Sequence, residues 1–451
     1  MSSGTQPKST TFEDGVIGKL EAFFQTRFGL GKMWSRAIST VVFSTCLYKA
    51  ILVDELGVVK PNIFVVDIGP SGLGMKSPPM RRARELIKAF NPEFLGLSIY
   101  TPPALREWIS PDLNVKANEG RKFHLNFTML RDEASTLFGE GRDYMRDLYE
   151  LLSELWDGYL ESYATRGYGN EGDVEVYVSM LGAGSLKILQ LLDQAFFDQG
   201  LGNRILWVDE PVTYKEWDAD FFFADSNDPD FEVLKDQTVE KMLWLERTCQ
   251  RAVVVDGTLW LKWSNEVRER FGKTSDYATD QYLSKSLLNC LKLAICYAAS
   301  RMSVNAADGI VAIMASDIEM AIADMKAYIS MWKSVMAKWK ATGSDIHAAR
   351  IRSRKVDIRN VLAAGLKLGR FDKSMLKAEL DTTDASAVRD TINQLVDDGR
   401  LVTVTGVDKF GNPTSGNLTD AEFKAFKSRG PLPVVYGVTE AGKKWLENNS
   451  Q

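Results

Sequence analysis

One segment of the chain carries the residue types that bind phosphate groups. It follows a short run rich in β-branched residues, 61–68, and precedes a stretch typical of a helix opened by prolines, 78–90. Glycines let backbone N–H groups fold around phosphates, a lysine neutralises their charge, and a serine hydroxyl binds Mg²⁺. The segment therefore predicts a nucleoside triphosphate site, whose nucleotide-binding residues are Gly69, Pro70, Ser71, Gly72, Leu73, Gly74, Met75, Lys76 and Ser77.

The loop departs from the usual pattern G-x-x-x-x-G-K-[ST]. Either Met75 is inserted between Gly74 and Lys76, or Met75 replaces the last glycine and Pro70 the first. We prefer the second register because it leaves the loop length unchanged. In both registers Lys76 meets the β- and γ-phosphates and Ser77 binds the metal; the alternative is an ordinary glycine turn before a helix.

An acidic pair follows a predicted strand, as a magnesium-dependent hydrolase requires. Asp132 would hold the metal directly or through water, and Glu133 would orient or polarise the attacking water. The alternative is a solvated acidic helix start, where Asp-Glu is common.

Two further residues are candidates for contact with the reacting phosphate. Arg204 lies between a predicted helix and a strand, and would act as an arginine finger or sensor in its own site or in that of a neighbouring subunit. Its alternative role is to stabilise the fold. Ser185 would contact the γ-phosphate or the attacking water, or would cap a helix.

The order of these segments resembles a family of P-loop ATPases of phages, plasmids and integrated elements, often found beside primase modules, and more distantly the AAA+ and minichromosome-maintenance helicases. The matching segments cover roughly residues 60–335 and read GPSGLGMKSPP, TPPAL, LRDEAST, LWDG, VSMLGAGS, QGLGNR and KSLLNCLKLAICYA. The resemblance implies ATP and Mg²⁺ as cofactors, Ser185 as a first sensor and Arg204 as the finger. Lys285 falls where a second sensor is expected, although an arginine is usual there.

Around these residues, strands alternate with helices, which favours an α/β layer with a mainly parallel sheet. Predicted strands cover 61–68, 94–100, 123–130, 174–181 and 204–208; predicted helices cover 11–58, 78–90, 142–156, 185–197 and 230–340. The predicted fold is a P-loop NTPase core of the AAA+ or RecA-like kind, with a helical lid domain and a C-terminal winged helix-turn-helix.

The last hundred or so residues are distinct in composition and pattern. Residues 341–451 carry 17 basic and 14 acidic side chains, whereas the chain as a whole has a net charge of −5. Three predicted helices, 357–367, 373–380 and 385–398, precede two predicted strands, 400–405 and 433–438. This order is typical of a winged helix, and its predicted nucleic-acid-binding residues are Ser386, Arg389 and Asn393 on the third helix and Lys409, Lys424, Lys427 and Arg429 in the wing. The alternative is a winged helix that contacts protein.

Composition narrows the class of protein. With 45% hydrophobic and 25% charged residues, the chain is neither disordered nor collagen-like, and its two histidines and four cysteines show no zinc-site spacing. We expect no membrane span and no secretory signal, and a reduced, cytoplasmic protein. The predicted domains are an N-terminal helical arm (1–58), an ATPase core (59–229), a helical lid (230–340) and a winged helix (341–451).

These features together predict an ATP-dependent motor that acts on single-stranded or duplex DNA. The resemblance favours a helicase-like replication ATPase of a mobile element, assembled as a hexameric ring, with a primase or other replication proteins as partners. The first alternative is a regulatory or partition-type ATPase without unwinding activity. The second is an interaction protein that does not hydrolyse nucleotide.

Overall fold

The computed structural model of the chain divides it into two compact units, Met1–Ala341 and Thr342–Gln451. The residues that the structure describes are 11–54, 57–69, 76–97, 102–109, 124–136, 145–161, 164–165, 169–170, 174–192, 196–197, 200–210, 228–271, 277–303, 309–354, 358–380, 388–389, 391–392, 395–396, 398–407, 413–414, 417–419, 422 and 434–448. The division lies beside the predicted boundary at 340/341. The other three predicted segments share the first unit.

The helices and strands of the first unit alternate along much of its length. The helices are α1 Val16–Phe28, α2 Lys32–Ser44, α3 Ser77–Phe90, α4 Pro102–Ile109, α5 Met145–Asp157, α6 Ile188–Leu191, α7 Leu201–Arg204, α8 Pro229–Thr248, α9 Thr258–Arg268, α10 Tyr277–Arg301 and α11 Ala315–Arg354, whose residues 342–354 belong to the second unit. The strands are β1 Leu52–Asp54, β2 Gly57–Val59, β3 Phe64–Ile68, β4 Asn126–Arg131, β5 Tyr159–Leu160, β6 Ala164–Thr165, β7 Gly169–Asn170, β8 Val174–Glu175, β9 Tyr177–Gly184, β10 Leu206–Val208, β11 Arg251–Val254 and β12 Ile310–Ile313.

A parallel sheet forms the centre of the first unit, so the fold is mixed α/β. Its strand order is β10-β3-β9-β4, and every neighbouring pair is parallel. The register places Ile68 beside Gly184 and Asp67 beside Val208. We call the edge where these strands end the carboxyl edge and the edge where they begin the amino edge. Functional loops of open parallel sheets gather at the carboxyl edge.

Both faces of this sheet are covered, which explains why its strands are almost continuously apolar. Along β3, Val65 joins the apolar layer that contains α2 and α3, whereas Phe64, Val66 and Ile68 join the layer that contains α5, α6 and α7. The connection after β3 runs along one face and the connection after β9 along the other. The carboxyl ends of β3 and β9 therefore flank the switch point of the sheet, where the connections that follow neighbouring strands leave toward opposite faces.

Three sequence predictions need correction in this unit. The stretch 11–58 is not helical to its end, because Leu52–Asp54 and Gly57–Val59 pair as the antiparallel strands β1 and β2. The helices before them belong to the core, and Met33–Ser44 of α2 are all buried between the sheet and neighbouring helices. Strands β11 and β12 interrupt the region predicted as wholly helical, and pair in parallel through alternating buried residues. In the predicted strand 94–100, Leu95 makes an isolated bridge to Thr128, and 98–100 lie outside the described residues.

The second unit contains short helices around a small antiparallel sheet. Its elements are α12 Ile358–Leu368, α13 Lys373–Glu379, α14 Glu440–Asn448, β13 Arg370–Phe371, β14 Leu401–Thr403, β15 Gly406–Val407, β16 Pro413–Thr414 and β17 Tyr436–Val438. Strand β17 lies between β13 and β14 and pairs with both in the antiparallel sense. Residues 388–389, 391–392 and 395–396 are helical and precede Gly399, whose φ of 69° suits a glycine.

Candidate functional site

The carboxyl edge brings together residues from four parts of the chain. Strand β3 ends at Ile68 and is followed by Gly69, while Lys76 immediately precedes the helix α3 that starts at Ser77. The predicted loop residues between them, Pro70, Ser71, Gly72, Leu73, Gly74 and Met75, lie outside the described residues. The strand and the helix that we predicted on either side of this loop are both present.

Lys76 points back onto the ends of two strands. Its Nζ donates to the carbonyl oxygen of Gly69 at 2.8 Å and to that of Gly184, the last residue of β9. The same ammonium lies 3.4 Å from Oδ2 of Asp67. Three oxygen groups thus surround the charge of Lys76 at the switch point of the sheet.

Asp67 is a functional candidate that the sequence analysis missed. It is only 6% exposed, and burial raises the pKa of its carboxyl to about 7. The ammonium of Lys76 opposes this shift, while the carboxylates of Glu210 and Asp209 add to it. Burial also lowers the pKa of Lys76, against the pull of Asp67 and Glu133. The signal was available in the sequence, because Asp67 is the one charged residue in an otherwise apolar run, 63–68.

Glu133 lies next to Gly184, whose carbonyl oxygen accepts a hydrogen bond from Lys76, and its charge raises the pKa of that lysine. A Cβ built on Gly184 would be 3.6 Å from Oε1 of Glu133, so the glycine borders the carboxylate closely. Asp132 is exposed, and its Oδ1 lies 3.5 Å from Nη2 of Arg84 on α3. The structure therefore brings Glu133 to Lys76 and turns the Asp132 carboxylate toward Arg84.

The oxygen donors at this edge fit a hard divalent cation. The hydroxyl of Ser77 is exposed at the start of α3, and the carboxylates of Asp132 and Glu133 follow β4. Mg²⁺ is commonly held by one or two protein oxygens together with substrate phosphates and water. The described residues contain no group of three or more His, Cys, Asp or Glu side chains that could hold a metal ion by themselves.

Ser185 directly follows β9 and therefore lies at the same edge. Its carbonyl oxygen accepts a hydrogen bond from the backbone N–H of Ile188 at 2.9 Å, which begins the turn into α6. Within the helix predicted over 185–197, α6 covers four residues and 196–197 are also helical, while 193–195 lie outside the described residues. Ser185 is not the cap of α6, because the residue before the first turn of that helix is Lys187 and no side chain caps it. Contact with phosphate stays a prediction.

Arg204 lies at the amino edge, because it precedes β10, whereas Lys76 follows the neighbouring parallel strand β3. A five-residue strand such as β3 separates two edges by roughly 15 Å. The Nη2 of Arg204 pairs with Oδ2 of Asp157 at 2.6 Å, and its Nη1 donates to the carbonyl oxygen of Gly200 at 3.1 Å. Arg204 therefore does not meet Lys76 within one chain.

Lys285 joins Arg204 at the amino edge instead of approaching Lys76. Arg204 and Lys285 each lie 5.5 Å from the ring centre of Trp156, and Lys292 lies 3.6 Å from it. Burial lowers the pKa of Lys285, and the charge of Arg204 lowers it further. We call this group the Trp156 cluster; its members are Trp156, Asp157, Arg204, Lys285 and Lys292.

Two acidic residues that follow β10 also escaped the sequence analysis. The carboxylate of Glu210 accepts the backbone N–H groups of Met33 at 3.0 Å and Trp34 at 2.9 Å, and so caps α2. The carboxylate of Asp209 accepts from Lys338 at 2.6 Å and from Ser334 at 2.7 Å, both on α11. These contacts join the carboxyl edge to two helices far away in sequence.

The predicted nucleic-acid-binding residues are mostly beyond the described ranges. Arg389 is described, is helical and is exposed. The others lie outside the described residues, namely Ser386, Asn393, Lys409, Lys424, Lys427 and Arg429.

Comparison of the chain with models of known protein families and with curated protein sequences finds no match. Among the described residues, no helix has both the length and the apolar character needed to cross a membrane.

Proposed function

We propose that the chain binds ATP with Mg²⁺ at the carboxyl edge and hydrolyses it to act on nucleic acid. The observation that carries this proposal is the setting of Lys76. Its ammonium lies at the switch point of a parallel sheet, directly before a helix, with Glu133 beside it. Loops at this point and helix N-termini are the places where α/β sheets bind phosphates.

The side chains at this edge divide the chemistry of hydrolysis between them. Lys76 would leave its carbonyl partners to stabilise the charge that develops on the phosphates. Glu133 would accept a hydrogen bond from the attacking water and orient it. Ser77 and Asp132 would hold Mg²⁺, which neutralises phosphate charge when bound. Ser185 would contact the γ-phosphate or the same water.

The Trp156 cluster supports a ring in which neighbouring subunits complete each other's sites. Arg204 and Lys285 lie at the opposite edge from Lys76, so either could act on a nucleotide only in an adjacent copy of the chain. A ring of six, the assembly that the resemblance implies, would repeat this contact at every interface. Arg204 would first have to exchange its ion pair with Asp157 for the phosphate.

The second unit supports contact with nucleic acid. Its helices α12 and α13, the helical residues around Arg389 and the antiparallel pair β14–β17 follow the order expected of a winged helix. We infer that it binds DNA and that the ATPase is helicase-like and serves the replication of a mobile element, alongside a primase or other replication proteins. Arg389 would lie on the recognition helix.

The test of hydrolysis is an ATP turnover assay with Mg²⁺, with and without single-stranded or duplex DNA. We expect turnover by the wild type and at least about 100-fold less by Lys76→Ala. Lys88→Ala is the matched control, since Lys88 is exposed on the same helix α3. Equal turnover by the wild type, Lys76→Ala and Lys88→Ala, or no turnover by any of them, would contradict the proposal that the chain hydrolyses ATP. Turnover stimulated by DNA without strand separation would instead favour the regulatory or partition-type ATPase.

DNA binding is tested with Arg389→Ala against Lys444→Ala, which removes the same charge from an exposed position on α14. If Arg389 contacts a phosphate, its loss weakens DNA binding several-fold and lowers the salt slope of the affinity by about 1. Identical affinities and slopes for the two variants would favour a second unit that binds protein.

A further inference from the structure

Asp67 occupies a position in the sheet where an apolar residue would be expected. It follows Val65 on the face of β3 that is covered by α2 and α3, and it is 6% exposed. Removing a carboxylate from water is costly unless a cation or hydrogen bonds compensate for it. The compensation here is Lys76, whose Nζ lies 3.4 Å from Oδ2 of Asp67.

The other charged groups that face Asp67 do not replace Lys76. From the segment after β10, Asp209 and Glu210 are carboxylates and repel its charge. Glu210 is bound to the N-terminus of α2, and the cation Lys338 of α11 is paired with Asp209. From the end of β4, Glu133 is a further carboxylate near Lys76. The negative charge of Asp67 therefore depends on the ammonium of Lys76.

We propose that Asp67 is a positioning residue that holds Lys76 in the free protein, and that nucleotide binding makes Asp67 take up a proton from water. This inference rests on the proposed function, since a bound nucleotide is what draws Lys76 away. Once Lys76 turns to the phosphates, Asp67 faces Asp209, Glu210 and the incoming anion without its cation. The proton that it then binds removes the repulsion, and release of the nucleotide returns both the proton and Lys76.

The acid–base behaviour of Asp67 sets the pH range of this effect. Burial raises its pKa to about 7 even with Lys76 beside it, and loss of that cation raises the pKa further. Below pH 7 the carboxyl is already protonated, and nucleotide affinity is independent of this group. Above pH 7 the proton must be taken up on binding, so affinity falls by up to about tenfold per pH unit.

The experiment is calorimetric titration of MgADP into the full chain at pH 8, in two buffers with different enthalpies of ionisation. Nucleotide phosphates are fully ionised at that pH, since their last pKa lies near 6. The difference between buffers then reports protons taken up by the protein. We expect about one proton for the wild type and none for Asp67→Asn. Asp236→Asn, a change at an exposed residue of α8, should match the wild type.

The affinity supplies a second readout that a purely structural role would not change. Between pH 7 and pH 9 the wild type should lose at least about tenfold in affinity, and Asp67→Asn less than about twofold. Binding by the wild type without proton uptake, or equal uptake by Asp67→Asn, overturns the inference alone. Absence of nucleotide binding by the wild type overturns the proposed function as well, so the two failures are distinguishable.

Discussion

The two edges of the sheet gather charged residues of opposite balance. At the carboxyl edge, Lys76 is surrounded by the carboxylates of Asp67 and Glu133 and by carbonyl oxygens. At the amino edge, three cations surround one aromatic ring, with Asp157 as their acidic neighbour. The acidic carboxyl edge, onto which Lys76 points, suits a nucleotide phosphate that binds together with Mg²⁺. On the proposed function, the cations of the amino edge would act on a phosphate bound by another copy of the chain, so the two edges would take different parts of one reaction.

The largest expected effect comes from Glu133→Gln at the carboxyl edge. Loss of the group that orients water should lower ATP turnover by at least about 100-fold, because general-base contributions are of that order or larger. Nucleotide affinity should change by less than about threefold. Glu150→Gln, at an exposed position of α5, is the matched control. Turnover within threefold of the wild type would exclude Glu133 from the chemistry.

Arg204→Ala tests the amino edge in the same assay. We expect turnover to fall by about 100-fold while nucleotide affinity is retained, since on the proposed function the arginine would act on the nucleotide of a neighbouring subunit. Asp157→Asn breaks the same ion pair but leaves the arginine, and should keep most of the turnover. Mixing Arg204→Ala with Lys76→Ala should restore part of the activity, because some interfaces then combine an intact Lys76 with an intact Arg204. Equal losses in Arg204→Ala and Asp157→Asn would reduce Arg204 to a structural role.

Matched glycine substitutions separate packing from function at the two edges. An alanine methyl at Gly184 would overlap Ile188 and make van der Waals contact with Glu133, and one at Gly202 would lie 2.8 Å from atoms of Phe196 and Phe197. Each substitution should lower the free energy of unfolding by about 1–3 kcal/mol, measured by urea denaturation. Only Gly184→Ala should also weaken nucleotide binding. The same binding loss in Gly202→Ala would mean that the effect is general destabilisation.

The smallest effect is on how stability depends on pH. Asp67 holds its proton up to about pH 7 in the folded chain but releases it near 3.8 when unfolded. Its contribution to stability is therefore present below pH 4 and is lost as the pH rises to 7. Lys292 has the opposite effect on the pH dependence of stability, because burial lowers its pKa well below 10.5. Its buried positive charge destabilises the folded chain at low pH, and this destabilisation decreases as the pH rises. Urea denaturation of Asp67→Asn and Lys292→Met across pH 4–9 should reveal opposite slopes relative to the wild type; parallel curves would contradict these assignments.

Much of the sheet could be predicted because its strands are short, apolar and bounded by turns. Strand β3 and helix α3 lie where the β-branched run and the prolines predicted them. The N-terminal helices could not be placed, because their burial depends on a sheet that forms later in the sequence and on Glu210 at the start of α2. Strands β11 and β12 were missed because each is four residues long in a mainly helical region.

Only those residues of the candidate site that belong to a local sequence pattern could be predicted. Lys76 and Glu133 were found from strand, loop and helix order, and the structure brings them together. Asp67 was missed because a single carboxylate inside a strand has no motif around it. The separation of Arg204 from Lys76 arises because Arg204 precedes β10 whereas Lys76 follows β3, and the sequence does not state that these two strands are parallel neighbours. The Trp156 cluster joins residues from three distant helices, α5, α7 and α10, and no local pattern predicts such a contact.

Equilibrium binding of ATP and Mg²⁺ to the wild type, Lys76→Ala and Arg204→Ala tests the division between the edges most directly. The account predicts that Lys76→Ala weakens binding by at least about tenfold, since a charge-assisted phosphate contact is lost. Arg204→Ala should remain within about threefold of the wild type. Equal affinity of Lys76→Ala and the wild type, or a larger loss in Arg204→Ala than in Lys76→Ala, would contradict it.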